Sequence, residues 1–170
     1  MPALIISGYT VPARAALGIA QTYEQFGGIS RQRMLDGSLI EQVSWRRWRT
    51  QLSGAGQVPP GLGGLHGQHT LACVAPHTAG AAINQITLPM DARSDAPLAG
   101  YATVMRGGAA VIEPSAVSIA GRVVTVAAVA GAVSYQCAYY PLIAGIVTEA
   151  QDHVAYAEGR WGWSVTLEEL

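Results

Sequence analysis

Hydrophobic and polar residues alternate with a period of two along much of the chain, the pattern typical of β-strands with one buried face. The clearest case is the closing segment WGWSVTLEEL, residues 161–170. Its apolar positions are Trp161, Trp163, Val165 and Leu167. We expect this strand to pair inside a sheet with its polar face in water, and we expect Trp163 to be buried.

The strand predicted over residues 38–52 has a different pattern, because neither of its faces is cleanly apolar. It contains two tryptophans and three arginines: Trp45, Arg46, Arg47, Trp48 and Arg49. A strand with a tryptophan and an arginine on each side is expected where both faces are covered, by a loop of the same chain or by another subunit. The preceding Asp36-Gly37 is typical of a hairpin turn that needs a positive φ.

Residues 12–26 fit two structures. Pro12 and the helix formers after it would suit a helix over 12–25. The alternation over 14–26, with Gly18 and several β-type residues, favours a strand instead. Gly27-Gly28 is interpreted as a turn, followed by another strand over 29–35.

The rest of the chain predicts short strands joined by connections rich in glycine and proline. Residues 53–68, SGAGQVPPGLGGLHGQ, are predicted to be a long loop, and such loops are usually functional or mobile. Further strands are expected at 69–75, 84–89, 101–106, 110–112, 116–119, 122–130 and 133–146. Residues 76–82 are predicted to be a loop, and 149–158 a loop or a single helical turn.

Composition fits an all-β protein. Of the 170 residues, 50% are hydrophobic and 12% are charged, so a sizeable core can form, and 20 glycines with 9 prolines suit many turns. The predicted fold is an antiparallel β-sandwich or small barrel with long Gly/Pro-rich loops. We expect residues 1–170 to form a single β-rich domain, with 90–100 as the candidate junction if there are two subdomains.

Low charge and a mean hydropathy of +0.25 indicate apolar surface that neighbouring subunits cover. All ten basic residues are arginine, which suits protein interfaces, although a high-GC genome would give the same bias. A net charge of −1 favours neither nucleic acid nor an anionic membrane as a partner. The cluster at 45–49 could stack single-stranded bases, but Arg–Trp packing within a sheet is favoured. The most apolar stretch, 123–133, is too short for a membrane span.

Motifs for catalysis or cofactor binding are missing from the sequence. His66 and His69 have zinc-like spacing, but they lie where a loop enters a strand, so a solvated loop is favoured over a metal site. No nucleophile elbow or phosphate-binding loop occurs, so we expect no enzyme activity, cofactor or metal. Cys73 and Cys137 lie in apolar runs. We expect both to be buried free thiols, and a disulfide between them is the alternative. Residues 1–3 do not predict a signal peptide.

Several segments resemble small tail or virion structural proteins of tailed bacteriophages. They are YEQFGG, RMLDGS, the W-x-x-W-R-T strand, SGAG-x-VPPGL-x-GL and the closing WGWSVTLEEL. Residues 23–65 are the most distinctive part, and residues 132–141 add support. The resemblance implies a β-rich component of the tail tip, baseplate or neck.

The resemblance implies a structural subunit of a phage tail, in the distal tip or baseplate, built into a symmetric ring through protein–protein contacts. The expected partners are copies of itself and other virion proteins, in a virion assembled in the host cytoplasm. The expected contact residues are Trp45, Arg46, Arg47, Trp48, Arg49, Val58, Pro59, Pro60, Leu62 and Leu65. Trimming residues 56–63 is expected to lower assembly and leave the fold soluble.

Two other functions remain open from the sequence. A neck or head-side virion protein, for completion or decoration, would have the same composition. A carbohydrate-binding β-module could use Trp161, Trp163 and nearby tyrosines as a sugar platform, which would require exposed, coplanar rings.

Overall fold

The computed structural model describes residues 2–155 and 159–170. It is nearly all β, with 67% of residues in strands, and its sheets are antiparallel. This confirms the predicted all-β class and is consistent with a sandwich, while a closed barrel is not formed.

Fifteen strands and one short 3-10 turn make up the described chain, numbered in order of sequence. They are β1 (Ile5–Ile6), β2 (Tyr9–Thr10), the 3-10 turn η1 (Ala13–Ala15), β3 (Leu17–Arg33), β4 (Leu39–Gly56), β5 (Gly67–Ala72), β6 (His77–Ala81), β7 (Gln85–Thr87), β8 (Asp91–Ala92), β9 (Ala99–Arg106), β10 (Ala109–Ser115), β11 (Val117–Ala120), β12 (Val123–Val126), β13 (Ala132–Tyr139), β14 (Pro141–Ala155) and β15 (Arg160–Glu169).

The chain divides into two compact units. The first combines the segment ending at Thr10 with Thr70–Ile143, and the second combines Val11–His69 with Ala144–Leu170. Residues 90–100, the candidate junction from the sequence, lie within the first unit.

In the first unit, a four-stranded sheet (β10-β9-β13-β6) and a three-stranded sheet (β11-β12-β7) supply much of the core. Their buried side chains include Ala102, Val104, Cys137, Tyr139, Ile86, Val124 and Val126. Gly100 of one sheet lies so close to Val117 and Val126 of the other that a side chain there would meet them at 3.0 and 3.3 Å. This close approach is what a sandwich core requires.

Arg93 is a buried charge in the first unit, 5% exposed. Its Nη1 donates to the carbonyl oxygens of Ala3, Ala72 and Cys73 at 2.9, 3.2 and 2.7 Å, and its Nη2 pairs with Asp95 at 2.8 Å. Hydrogen bonding by Arg93 lowers the pKa of Asp95. Because a buried cation is costly unless it is bonded, these contacts hold the segment before β1 against the end of β5.

The second unit is built on an antiparallel ladder in which β15 lies between β14 and β4, and β3 follows β4. Its buried face carries Thr50, Leu52, Val147, Trp163, Val165 and Leu167. The prediction that the closing segment is an internal strand with Trp163 buried is therefore confirmed.

Residues 17–33 form one strand, which confirms the strand over the helix for 17–26, while the start of the predicted strand is wrong because residues 13–15 form the 3-10 turn η1. The predicted turn at Gly27-Gly28 is wrong, because β3 runs straight through it. Gly28 pairs with Trp45 and Ile29 with Val43, so Ser44 is an extra residue, a β-bulge on β4. The Asp36-Gly37 turn is confirmed: Gly37 has φ 83°, and Asp36 Oδ1 accepts from the Ser38 N–H at 2.9 Å.

Three loop predictions are also wrong in part. Residues 53–56 continue β4 because they pair with β15. Residues 77–81 form β6 against β13, and 149–155 belong to β14, again paired with β15. Residues 156–158, the end of the last predicted loop, lie outside the described residues.

Candidate assembly surface

The distal part of the β3–β4 hairpin, residues 25–48, is a two-stranded ribbon that we call the arm. β15 pairs with β4 from Gly56 only as far as Arg49, opposite Glu168. The Trp48 N–H still bonds the Glu169 carboxylate of β15. From Arg47 to the turn, the strand pairing in the described residues joins β4 to β3, up to Arg33 opposite Leu39. At about 3.4 Å per residue, the ribbon is roughly 30 Å long.

The arm exposes apolar side chains along its whole length. They are Ile29, Met34, Leu35, Leu39, Ile40, Val43 and Trp45. Leu35 at the turn is fully exposed, and the others are between 39% and 56% exposed. A two-stranded hairpin is only marginally stable alone, and exposed apolar side chains grouped in this way are typical of interaction sites.

One face of the arm carries an ion network that links both strands. Arg31 Nε lies 2.8 Å from Glu41 Oε2, and Arg46 Nη2 lies 3.0 Å from Glu41 Oε1. The hydrogen bond from Arg31, with a smaller contribution from Arg46, lowers the pKa of Glu41. Such exposed pairs add little stability, and their formation shows that Arg31, Glu41 and Arg46 share this face.

The other face carries an aromatic cluster. The Phe26 and Trp45 rings meet edge to face with centroids 5.5 Å apart, and the Arg49 guanidinium lies 4.7 Å from the Phe26 centroid. Arg49 Nη2 also pairs with Glu168 at 2.7 Å. The sequence favoured Arg–Trp packing within the sheet over base stacking; the arginine–aromatic contact observed here is between Arg49 and Phe26.

The predicted contact residues on β4 divide into two groups. Trp45, Arg46 and Arg47 are exposed, whereas Trp48 and Arg49 are half-buried where the arm joins β15. The Trp48 N–H donates to Glu169 Oε2 at 3.0 Å. Trp45, Arg46 and Arg47 are therefore accessible to another protein, whereas Trp48 and Arg49 are already partly covered by their own chain.

The loop at residues 57–66 is anchored to its own unit. Pro60 and Leu62 are buried, Leu62 being only 4% exposed, and the Gln57 N–H donates to the Arg14 carbonyl at 2.8 Å. Of the predicted loop contacts, this leaves Pro59 exposed and Val58 and Leu65 half-buried.

Trimming residues 56–63 would remove part of this unit's interior. Gly56 belongs to β4, and a Cβ there would collide with the backbone of Arg14 and Ala15. We therefore expect the trimmed chain to lose stability, the reverse of the expectation drawn from the sequence.

Sequence reasoning missed most of the arm's exposed residues, in particular Met34, Leu35 and Leu39 at its tip. The available signal was an Asp-Gly turn flanked by apolar residues that fall on both faces of the ribbon. A ribbon that is apolar on both faces can be covered only by something outside its own two strands.

Both histidines of the pair contact backbone carbonyl oxygens. His69 Nε2 lies 3.0 Å from the His66 carbonyl oxygen, and His66 Nδ1 lies 2.5 Å from the Gly64 carbonyl oxygen. Across residues 2–155 and 159–170, no three His, Cys, Asp or Glu side chains are grouped so that they could hold a metal ion. None of the described residues belongs to a helix with the length and apolar content needed to cross a membrane.

The remaining sequence candidates lie inside the fold. Cys73 and Cys137 are buried free thiols, and burial raises the pKa of Cys137. The Trp163 ring is 2% exposed, and its Nε1–H donates to the Ala15 carbonyl at 2.7 Å. It therefore cannot form an exposed sugar platform with Trp161.

Comparison with known proteins gives no family model, curated protein or solved structure that matches this chain. Its function therefore has to be inferred from its own surfaces. The arm carries seven of the nineteen large hydrophobic side chains that are exposed in the described part of the chain.

Proposed function

We propose that this chain is a structural subunit of a bacteriophage tail, in the distal tip or baseplate, and that it acts through oligomeric protein–protein contacts. Its partners are copies of itself and other virion proteins. The resemblance of residues 23–65 to tail proteins supports the proposal, and so does the arm, whose residues 25–48 lie within that stretch.

The single observation that carries the proposal is the arm's exposed apolar surface. Leu35, Leu39 and Trp45 are each about half or fully exposed on a ribbon with only two strands. Full burial of a large apolar side chain is favourable by roughly 1.5–3 kcal/mol. A partner that covers the arm gains that amount at Leu35 and about half of it at Leu39 and Trp45, which are already partly covered. Extended arms and added strands are a common way for subunits to join.

The test is incorporation of the chain into particles. Antibodies raised against the purified chain should label the tail tip of phage particles from its source culture by immunogold electron microscopy. Absence of the chain from purified particles, by labelling and by mass spectrometry, would overturn the proposal. Labelling at the neck or head would move the chain to the head-side alternative.

An arm-shortened variant tests which part of the chain carries the assembly contact. Replacing residues 30–42 with Asn-Gly keeps a two-residue hairpin turn and removes most of the exposed apolar tip. We expect an unchanged circular dichroism spectrum and a loss of incorporation. Ser53→Ala, on the exposed side of β4 where it pairs with β15, is the matched control and should incorporate normally.

A further inference from the structure

We propose that the outer edge of β3 in the arm, Gln25 to Arg33, pairs antiparallel with the same edge of a second copy of this chain. The inference rests on the proposed function, because it names the partner of the arm. The contact has two-fold symmetry and joins two ribbons of two strands into one ribbon of four, in the order β4-β3-β3-β4. Three or more strands are needed for a sheet to be stable by itself, whereas two are marginal.

The outer edge of β3 is open to a further strand. β3 is the last strand of its sheet, so the described part of the chain places no strand beside this edge. β15 lies on the opposite side of the hairpin, against β4. Residues 25–33 contain no proline, which would prevent pairing at an edge. A row of open N–H and C=O groups of this kind is a template for a strand from another chain.

Two observed hydrogen bonds identify the β3 residues that face this edge. The Thr22 carbonyl accepts from Thr50 Oγ1 at 2.9 Å, and the Met34 N–H donates to the Ser38 carbonyl at 2.9 Å, so both groups point toward β4. Every β3 residue from 20 to 33 has a partner on β4, so no extra residue interrupts the alternation of β3. The N–H and C=O of one residue point to the same side, and that side alternates along the strand. The edge-facing residues of the arm are therefore the odd-numbered ones: Gln25, Gly27, Ile29, Arg31 and Arg33.

The length of the arm selects a register in which the two-fold axis lies between the two Ile29 residues. Gly27 of each copy then lies opposite Arg31 of the other, and Gln25 opposite Arg33. All these residues are edge-facing, so each pair is of the hydrogen-bonded type. The two arms coincide from end to end, with the turn of one copy beside the base of the other copy's arm. A shift of two residues would place Ile29 opposite Gly27 or Arg31 instead.

This register joins apolar side chains into one row across the four strands. Val43 lies opposite Ile29 within each hairpin, and the two side chains are 39% and 41% exposed. Because Ile29 faces away from β4, this pair is of the non-hydrogen-bonded type, in which side chains are closest. In the dimer the row is Val43, Ile29, Ile29 and Val43, all on one face. Contacts between β-branched side chains on neighbouring strands favour such pairing.

The charged residues on the same face do not oppose this register. Arg31 Nε lies 2.8 Å from Glu41 Oε2 within one copy. Across the proposed contact Arg31 meets Gly27, whose lack of a side chain leaves room for the guanidinium and its bond to Glu41. Arg33 meets Gln25, which is uncharged. No two like charges therefore lie directly opposite each other, an arrangement that would be destabilising.

A cysteine at the proposed two-fold axis tests the register directly. Under mild oxidation, Ile29→Cys should form a disulfide-linked dimer, because the paired Cα atoms are about 5.5 Å apart. Val43→Cys is the matched control: it is equally exposed on the same face but lies on β4, about 14 Å from its counterpart in the dimer. It should stay monomeric on a non-reducing gel. The wild-type chain, with Cys73 and Cys137 buried, controls for the native thiols.

A proline on the open edge gives a second readout that does not depend on cysteine. By sedimentation equilibrium, the wild-type chain should reach twice its monomer mass of 17.7 kDa. Gln25→Pro removes an N–H that faces the open edge, so the hairpin keeps its own ladder and each copy loses one bond to the other. The dimer should weaken by about tenfold with an unchanged circular dichroism spectrum. Gln25→Ala keeps the N–H and should dimerise like the wild type; equal affinities of the two variants would contradict pairing through this edge.

A chain that stays at 17.7 kDa at high concentration would overturn the inference. Cross-linking of Val43→Cys in place of Ile29→Cys would overturn it in favour of pairing through β4. Failure of the two proposals is distinguishable. A chain found in the tail without the Ile29→Cys cross-link defeats only the pairing, whereas a cross-linked dimer absent from particles defeats only the tail assignment.

Discussion

Two glycine–tryptophan pairs on β4 show how the same local motif serves a core in one place and a surface in another. Gly54 lies opposite Trp163, and Trp45 lies opposite Gly28. In each pair the indole covers the glycine, so that an added Cβ would lie 2.6 Å from the Trp163 ring or 2.9 Å from the Trp45 ring. Trp163 is 2% exposed and Trp45 is 48% exposed.

The difference comes from the neighbouring strands. Around Gly54, β4 has β3 on one edge and β15 on the other, and the Trp163 Nε1–H is bonded to Ala15. Around Trp45, the structure as described pairs β4 with β3 only, and the ring contacts Phe26. A tryptophan therefore covers a glycine across the strands in both places. The indole ring is buried only where a third strand lies beside the pair.

Removing the two rings should separate the two regions most clearly. Trp163→Ala should lower the free energy of unfolding by about 3–5 kcal/mol, because it leaves a cavity and an unsatisfied Ala15 carbonyl. Trp45→Ala should cost about 0.5–1.5 kcal/mol, the value of an aromatic pair. Urea unfolding followed by circular dichroism measures both, and equal losses would contradict the distinction between core and arm.

Adding a methyl group to the two glycines is a milder test of the same comparison. Gly54→Ala should cost about 1–3 kcal/mol, because the buried Trp163 ring cannot move away. Gly28→Ala should cost less than about 1 kcal/mol, because the exposed Trp45 ring can rotate out. The thermal midpoints of the two variants are the measurement; a larger drop for Gly28→Ala would show that the arm is packed more tightly than its exposure indicates.

Removing a buried hydroxyl from the packed part of β4 should have a smaller effect on the free energy of unfolding. Thr50, fully buried, accepts from Gln21 Nε2 and donates to the Thr22 carbonyl, both at 2.9 Å. Thr50→Val should cost about 1–2 kcal/mol by leaving those two groups without their partner. Ser30→Ala in the arm should stay within about 0.5 kcal/mol of wild type. A neutral Thr50→Val variant would show that water replaces the lost bonds.

Acid should affect the arm before the packed region, and this is the smallest expected effect. The folded-state pKa of Glu41 lies below its ordinary value of 4.5, because Arg31 and Arg46 favour the carboxylate. The network's contribution is therefore fully present above pH 4.5 and is lost as the pH falls through the lowered pKa. In NMR spectra, amides near Glu41 should shift in that window while those of β15 near Trp163 stay unchanged; simultaneous shifts would indicate one cooperative transition.

The sequence was informative wherever a local rule decides the structure. Alternation in the closing segment predicted the buried Trp163, and Asp36-Gly37 predicted the turn at positive φ. Gly27-Gly28 misled because glycine is typical of turns, whereas here Trp45 covers Gly28 across the ladder. Residues 53–56 were predicted to be a loop for the same reason. They belong to β4, where their glycines let the backbone lie close to Trp163 and to η1.

The exposure of the arm could not be predicted from the same rules. Alternation shows which side chains share a face, but whether that face is covered depends on how far a distant strand extends. β15 is more than 100 residues away in sequence and stops pairing at Arg49. The apolar character of Leu39 and Val43 was visible in the sequence, while the absence of a covering strand beside them in the described chain was not.

The single extra residue at Ser44 has a genetic consequence. β3 has no extra residue there, since Gly28 lies opposite Trp45 and Ile29 opposite Val43, so loss of that one codon would remove the bulge and leave every other pair of the hairpin in register. Leu39 and Glu41 would keep their faces, and a lineage could therefore lose this residue in one in-frame deletion without rearranging the arm.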